Sequence, residues 1–328
     1  MPRFGAIIAG TGSCLPENRL TNADLSKLVE TSDEWIMQRT GIKERRKAGH
    51  GETTATMGLQ AAKQAIAAAG INASDLDLIV CATITPEMVF PSTACFIAKD
   101  LGLTDCPALD VQAACSGFLY ALDVGSTYVR SGRYKNVLVI GTETITQLAD
   151  YTDRGSCILF GDGAGAVVLR QSPDTKRGWI YGSIHADGNG WNMLYCPPGS
   201  RHPFNQHMLD HRGQYMKLNG REVYKFAVTR FEEMIQDAMN KCGLTVDTVS
   251  MIIPHQVNQR IIDSAVQKLG FPMDKVFVNI ERYGNTSSAS IPIALDEAMR
   301  AGKIKAGDVL LFVAFGAGLT WANAVVKI

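Results

Sequence analysis

The sequence predicts an α/β protein built from two similar halves. Three features lead to that expectation. Short apolar runs alternate with longer helix-patterned segments along the whole chain. The run 76–83 is apolar on nearly every residue, as expected of a strand whose sheet is covered on both faces, and so suggests largely parallel sheets. Landmarks then recur in order: Leu101-Gly-Leu with Leu269-Gly-Phe, Ser131-Gly-Arg with Ala301-Gly-Lys, Val137-Leu-Val-Ile with Val309-Leu-Leu-Phe, and Gly163-Ala-Gly-Ala-Val-Val with the closing Gly-rich turn and strand. Repetition of this kind points to two halves related by a pseudo-twofold axis.

Residues 4–12 read as a strand running into a Gly-rich turn, without the G-x-G-x-x-G spacing of a dinucleotide loop. Asn22 caps a short helix, and Thr31-Ser-Asp-Glu-Trp35 opens another with acids in its first turn. The basic run 39–47 beside Trp35 is either a solvated loop or an anion site with an aromatic plate, suited to a nucleotide-bearing ligand. Residues 53–69 form an Ala-rich, closely packed helix stopped by Gly70. Pro91 starts a helix to Leu101. A strand follows at 108–111, then a helix from Cys115 to Ser131, a strand at 136–141, and a Gly-rich turn feeding a strand across 156–169. The pattern restarts with a strand at 179–185. A long polar loop fills 189–213, and an amphipathic helix spans 222–242. Strands at 249–255, 275–280 and 309–314 then alternate with helices at 258–269 and 287–301.

A chain of 328 residues, 46% hydrophobic and 20% charged, can build a large core and about two domains. Lys+Arg and Asp+Glu both number 32, which argues against bulk nucleic-acid or membrane-surface binding while leaving room for a local basic patch. The first eight residues are too short an apolar run for a signal peptide, and no stretch reaches the ~18 apolar residues of a spanning helix. Eight cysteines without a C-x-x-C pair read as reduced thiols, so a cytoplasmic location is expected.

Cys115 stands where a strand gives way to a helix. The free amides and positive dipole end of that helix favour a thiolate, making Cys115 a candidate nucleophile; a buried structural cysteine is the alternative. Matching Ser131-Gly-Arg to Ala301-Gly-Lys sets Cys115 opposite Asn285, an offset of 170. His255 ends another strand. If the halves pack face to face, Cys115, His255 and Asn285 meet in one crevice at strand carboxyl ends, where α/β proteins bind ligands.

The segments Asp33-Glu-Trp35-Ile…Arg39-Thr-Gly-Ile, Ala114-Cys115-Ser-Gly-Phe, Thr152-Asp-Arg154-Gly, Phe160-Gly-Asp-Gly-Ala-Gly, Pro254-His255-Gln-Val-Asn258, Gly284-Asn285-Thr-Ser and Phe315-Gly-Ala-Gly-Leu-Thr-Trp321 together resemble the β-ketoacyl-acyl-carrier-protein synthase III family of the thiolase superfamily, over essentially the whole chain. The resemblance implies a thiolase-like, internally duplicated fold layered αβαβα. A half at 1–172 would carry the nucleophile, and a half at 173–328 His255 and Asn285. It implies condensation of a short acyl-CoA, such as acetyl-CoA, with malonyl-acyl carrier protein through an acyl-Cys115 intermediate, initiating fatty acid synthesis.

By the same resemblance His255 and Asn285 serve decarboxylation, and backbone amides of Cys115 and of Gly316 or Ala317 form the oxyanion site. Thr31, Trp35, Arg39, Arg154, Gly220 and Asn258 line the CoA site. Lys225 and Arg260 attract the carrier protein, and Phe90 reaches across a homodimer into the partner's acyl pocket. Acyl-CoA is a substrate, and no cofactor, metal, nucleic acid or membrane partner is expected. Two departures stand out: Ala317 where some relatives have glycine, and a longer loop at 196–214 carrying His202, His207 and His211. Other readings are a Cys-His-Asn condensing enzyme of secondary metabolism with another primer or acceptor, a cysteine hydrolase, and a non-catalytic scaffold.

Overall fold

The computed structural model describes residues 3–328; Met1 and Pro2, the start of the N-terminal run weighed above, lie outside the described residues. The first half contains β1 (Gly5–Cys14), β2 (Arg19–Thr21), α1 (Asn22–Leu25), α2 (Asp33–Thr40), β3 (Glu44–Arg46), α3 (Thr54–Ala69), β4 (Leu78–Ala82), α4 (Thr93–Asp100), β5 (Ala108–Val111), α5 (Gly117–Ser131), β6 (Asn136–Glu143), α6 (Arg154–Cys157) and β7 (Gly163–Ser172). The second contains β8 (Gly178–Ala186), β9 (Leu194–Tyr195), α7 (Gln206–Asp210), β10 (Lys217–Leu218), α8 (Gly220–Cys242), β11 (Met251–Pro254), α9 (Gln259–Lys268), α10 (Ile280–Tyr283), α11 (Ser290–Arg300), β12 (Val309–Gly316) and β13 (Thr320–Lys327).

Two main sheets stack, ordered β1-β7-β6-β4-β5 and β11-β12-β13-β8. Helices α5 and α11 lie between them: Phe118, Leu119, Leu122, Ile291 and Leu295 share one core with Val80, Val139, Ile253 and Phe312 from both sheets. The outer face of the first sheet is covered by α3 and α4, that of the second by α8 and α9. The order of layers is therefore αβαβα. Among the described residues no helix is long and apolar enough to cross a membrane.

The sheets are mixed, not largely parallel. Strand β4 runs parallel to β5 and β6, and β11 to β12, but β1, β7, β8 and β13 pair antiparallel. Apolar runs report burial on both faces, which helices impose on either strand direction. The Gly-rich turn expected near Gly10 is instead part of β1. A Cβ at Gly10 would lie 2.3 Å from the Ala65 carbonyl oxygen, and one at Gly12 2.3 Å from that of Ala61. These glycines let α3 lie directly on the strand, which is also why α3 is rich in alanine.

Several local expectations are revised. Thr21, not Asn22, caps α1; the Asn22 amide is buried and donates to Asp33 and to the Ile42 carbonyl. Helix α4 begins at Thr93, two residues after Pro91. Residues 275–280 are no strand: a 3-10 turn ends at Lys275 and α10 begins at Ile280, leaving one isolated bridge from Val276 to Ile252. The polar loop contains β9, a 3-10 turn and α7. The basic run is not simply solvated, because β3 pairs with β2 and buries Arg45 completely against the Leu20 and Ile158 carbonyls and Asn22.

The duplication has a different register from the one expected. Leu78 pairs with Val137 and Met251 with Leu310, equivalent ladders 173 residues apart. Ala114 at φ 48° and Ser287 at φ 50° are equivalent strained turns at the same offset. The counterpart of Cys115 is thus Ser288, not Asn285. Helix α11 has 11 residues against 15 in α5, so aligning the helix C-termini shifted the N-termini by about one turn.

Candidate active site

Cys115, His255 and Asn285 line one cavity of about 610 Å³, together with Phe160, Phe315, Gly316 and Ala317. Each arrives from a different element. Cys115 sits in a 3-10 turn after β5 and before α5. His255 follows β11, and its backbone N–H donates to the Val313 carbonyl at 2.8 Å. Asn285 follows α10 and is clamped by the first half: its N–H donates to Leu159 O at 2.8 Å, and its carbonyl accepts from Gly161 at 3.0 Å. The Phe160-Gly161 motif thereby gains its reason, since a Cβ on Gly161 would lie 2.2 Å from the Tyr283 carbonyl oxygen.

The side chains are oriented by their neighbours. Asn285 Oδ1 accepts the Ser287 N–H at 2.8 Å, leaving the Nδ2 donor as the amide's unused end. His255 Nδ1 lies 2.7 Å from Ser290 Oγ, which also receives the Gln256 N–H at 3.3 Å. His255 Nε2 is buried without a protein partner. The Phe315 ring packs edge-on to the imidazole, with centroids 5.8 Å apart. Burial lowers His255 to about 3, so the ring is neutral at physiological pH.

Burial also pushes the Cys115 thiol up to about 12. This opposes the thiolate expected from the helix start: in this enclosed turn, loss of hydration outweighs the dipole. A Cβ on Gly316 would lie 2.7 Å from the Cys115 backbone nitrogen, so β12 passes directly against that amide.

The cavity extends past Val257, Asn258 and Tyr224 to Trp35 and Arg39. Both Arg39 and Arg154 stack on Trp35, each guanidinium carbon 4.7 Å from the ring centroid. Trp35 and Arg154 therefore leave no room for a planar base between them, and a base entering there must displace Arg154, which also donates to the Glu30 carbonyl. Gly220 lines the wall, where an added Cβ meets nothing within 4 Å. Asn258 lines it too, but its side chain is engaged, capping α9 through Arg260 N–H and donating to the Arg39 carbonyl at 3.0 Å. Thr31 is not part of the wall; its hydroxyl is buried without a partner.

Lys225 and Arg260 flank the mouth and are exposed, although Lys225 pairs with Glu222 at 3.0 Å. Phe90 is outside the cavity lining and 81% exposed, next to Val89 at 95%. The rings of His207 and His211 lie tilted to one another with centroids 4.1 Å apart, both exposed, and among the described residues no three His, Cys, Asp or Glu side chains form a metal-binding group. Ser290 and Arg221 were not singled out from sequence; Arg221 lines the cavity, and Ser290 opens α11 in a serine-rich helix start, a pattern common to ordinary caps.

The chain is similar to known proteins over almost its whole length. Residues 109–188 match the family model described as 3-oxoacyl-[acyl-carrier-protein (ACP)] synthase III, and residues 239–328 that of its C-terminal part. The chain is 47% identical over 326 residues to the β-ketoacyl-[acyl-carrier-protein] synthase III of Caldanaerobacter subterraneus subsp. tengcongensis, covering 99% of this chain and 98% of that one. The crystal structure of 3-oxoacyl-[acyl-carrier-protein] synthase III from Aquifex aeolicus superposes with TM-score 0.92 at 47% identity, over 99% of this chain and all of that one. A priming β-ketosynthase of the R1128 polyketide pathway superposes with TM-score 0.92 at 35% identity, over 100% of this chain and 97% of that one. With near-complete coverage at almost half identity, the chain belongs to the β-ketoacyl-[acyl-carrier-protein] synthase III family of thiolase-like condensing enzymes.

Proposed function

We propose that the protein is the acyltransferase that initiates fatty acid synthesis, joining a short acyl-CoA to malonyl-acyl carrier protein by decarboxylative Claisen condensation. The observation that supports this most directly is the meeting of Cys115, His255 and Asn285 in one cavity that runs to the Trp35–Arg39 stack.

Cys115 Sγ attacks the primer thioester carbonyl. The new C–S bond replaces the bond to CoA, and the thiol proton leaves on the CoA sulfur. Burial holds the Cys115 thiol near 12 against ~8.5 for an ordinary thiol, so loss of its proton on its own is uphill and must accompany formation of the new C–S bond, while CoA sulfur, the less basic thiolate, is the better leaving group. The Cys115 amide, with Gly316 or Ala317, binds the tetrahedral oxyanion.

In the second step the malonyl carboxylate departs as CO₂, and its bonding pair passes to the thioester as an enolate. Asn285 Nδ2 donates to the enolate oxygen, and so does His255 Nε2–H, the Ser290 hydroxyl donating a hydrogen bond to Nδ1 of the neutral ring. Both donors are neutral, so the negative charge they hold need not be shared with a bound proton. The enolate carbon then attacks the acyl-Cys115 carbonyl. The C–S bond breaks, and the released thiolate takes a proton from water.

Trp35, Arg39 and, once displaced, Arg154 hold the adenine end of CoA, with Gly220 and Asn258 along the tunnel. Lys225 and Arg260 face the acidic carrier protein, and the exposed Met88-Val89-Phe90 triplet meets a second copy of the chain. Eight unpaired thiols suit a reducing cytoplasm. The chemistry asks for no metal or redox cofactor.

Mass spectrometry after mixing with acyl-CoAs, then malonyl-acyl carrier protein, tests the scheme. An acyl adduct on Cys115 is expected, absent in Cys115→Ser. His255→Ala and Asn285→Ala should load the primer but fail to decarboxylate. Equal loss of both steps would contradict the division of labour. Turnover with malonyl-CoA but not with the carrier protein would favour the secondary-metabolism reading.

A further inference from the structure

The pseudo-twofold counterpart of the nucleophile turn holds a buried acid. Ser288 follows the strained Ser287 as Cys115 follows Ala114, and Glu143 ends β6 as Gly316 ends β12. At the Cys115 turn the strand end must be glycine, which keeps the Cys115 amide open. At the Ser288 turn the Glu143 side chain occupies the corresponding place, fully buried.

The hydrogens around Glu143 can be counted. Oε2 receives the Thr85 hydroxyl at 2.6 Å, the Thr83 hydroxyl at 3.2 Å and the Ile84 N–H at 3.1 Å. The Thr85 oxygen itself accepts from Thr144 N–H, and the Thr83 oxygen from Thr85 N–H, so both hydroxyls are free to donate to Oε2. Oε1 shares the Ile84 N–H at 3.3 Å and faces Ser288 Oγ at 2.7 Å. Ser288 Oγ is also 3.0 Å from the Ala82 carbonyl oxygen. One hydroxyl proton thus lies before two acceptors. No Lys, Arg or His among the described residues makes an ion pair or hydrogen bond to Glu143.

We propose that Glu143 is a neutral carboxylic acid in the folded protein, donating from Oε1 to Ser288, which in turn donates to the Ala82 carbonyl. The Ser288 hydroxyl hydrogen then has a single acceptor, and no uncompensated charge is buried. Burial displaces the Glu143 pKa upward in the same sense. The titratable groups that feel it are Cys81 on β4 and Cys115. Resting on the reaction proposed above, the consequence is twofold. A neutral Glu143 adds no second negative charge beside Cys115 while the oxyanion and thiolate form. It also anchors the turn whose Ser287 N–H orients Asn285, which makes Glu143 a positioning residue.

The test compares wild type with Glu143→Gln, Glu143→Ala and Ser288→Ala by infrared spectroscopy in H₂O and D₂O at neutral pH, and by the two half-reactions. A protonated-carboxyl band that moves in D₂O is expected in wild type, absent from Glu143→Gln and displaced in Ser288→Ala. Gln can donate from Nε2 to Ser288 while Oε1 accepts the other three donors. It should therefore rescue the roughly tenfold loss of decarboxylation expected in Glu143→Ala, which leaves those donors unpaired. Identical carboxyl-region spectra of wild type and Glu143→Gln overturn the proposal, as does a Ser288→Ala spectrum with the band unmoved. Failure of Glu143→Gln to rescue, in folded protein, removes the positioning role. The infrared comparison does not depend on the protein being a condensing enzyme. Should Glu143→Gln not fold, the Ser288→Ala band shift decides.

Discussion

Gly316→Ala separates steric support of the oxyanion site from every other role of the strand end. Gly316 is not among the positive-φ residues, so alanine suits its backbone and only space is at issue. The added Cβ would lie 2.7 Å from Cys115 N and 3.1 Å from Ser116 N, where ordinary contact begins near 3.4 Å. Both obstacles are backbone, so no flexible side chain can give way, and Cys115 N must retreat by roughly 0.7 Å. Misplacement on the order of 1 Å can cost about 10²-fold in rate, as can loss of one oxyanion donor. Acyl transfer to Cys115 should therefore fall about 10²-fold, about 2.7 kcal/mol in the barrier. Overpacking should cost the fold about 1–3 kcal/mol. The assay is quenched-flow formation of the acyl-enzyme followed by mass spectrometry, with unfolding measured in parallel. Gly199→Ala, where a Cβ meets nothing within 4 Å, is the control. Primer loading within threefold of wild type in Gly316→Ala would refute the assignment of the Cys115 amide to the oxyanion site.

His255 gives a stability prediction with a definite sign. Its folded value of about 3 lies below the usual histidine value of 6.5, so the unfolded chain takes up the proton first. Stability falls as pH drops below about 6.5 and levels off near 3; at pH 5 the cost is about 2 kcal/mol. Urea unfolding of wild type should weaken by that amount more than His255→Gln between pH 7.5 and 5, and equal losses would dismiss the buried neutral imidazole. Trp35→Ala should raise KM for acyl-CoA by the equivalent of about 1–3 kcal/mol while leaving an acyl-pantetheine primer unaffected. A matching rise with both primers would mean that Trp35 does not hold the base.

Much of the site was legible because it sits at element junctions. Cys115 was identifiable from a strand-to-helix switch and His255 from a strand end. The glycines after α5 and α11 are anchors at the wrong end of each helix: matched, they set Asn285 opposite Cys115, although α11 is a turn shorter. Asn285 reaches the site for another reason, the grip of Leu159 and Gly161 from the other half. Residues 275–280 look like a strand because Val276, Val278 and Ile280 alternate, but they cover the edge of β11 without joining its sheet.

Local pattern alone determined the alternation of strands and helices, the buried sheets, the duplication and the chemical type of the three central residues, because periodicity and turn chemistry are written within a few neighbours. Strand direction, the 173-residue register and the protonation of the site were decided only by tertiary structure. A thiol at a helix start reads as a thiolate until the packing of both halves removes its water. At the end of β6, Ser288, Thr83 and Thr85 close around the Glu143 carboxyl. Desolvation belongs to residues distant in sequence; it keeps the His255 ring neutral, raises the Glu143 carboxyl, and holds Cys115 as a thiol that must lose its proton in the reaction.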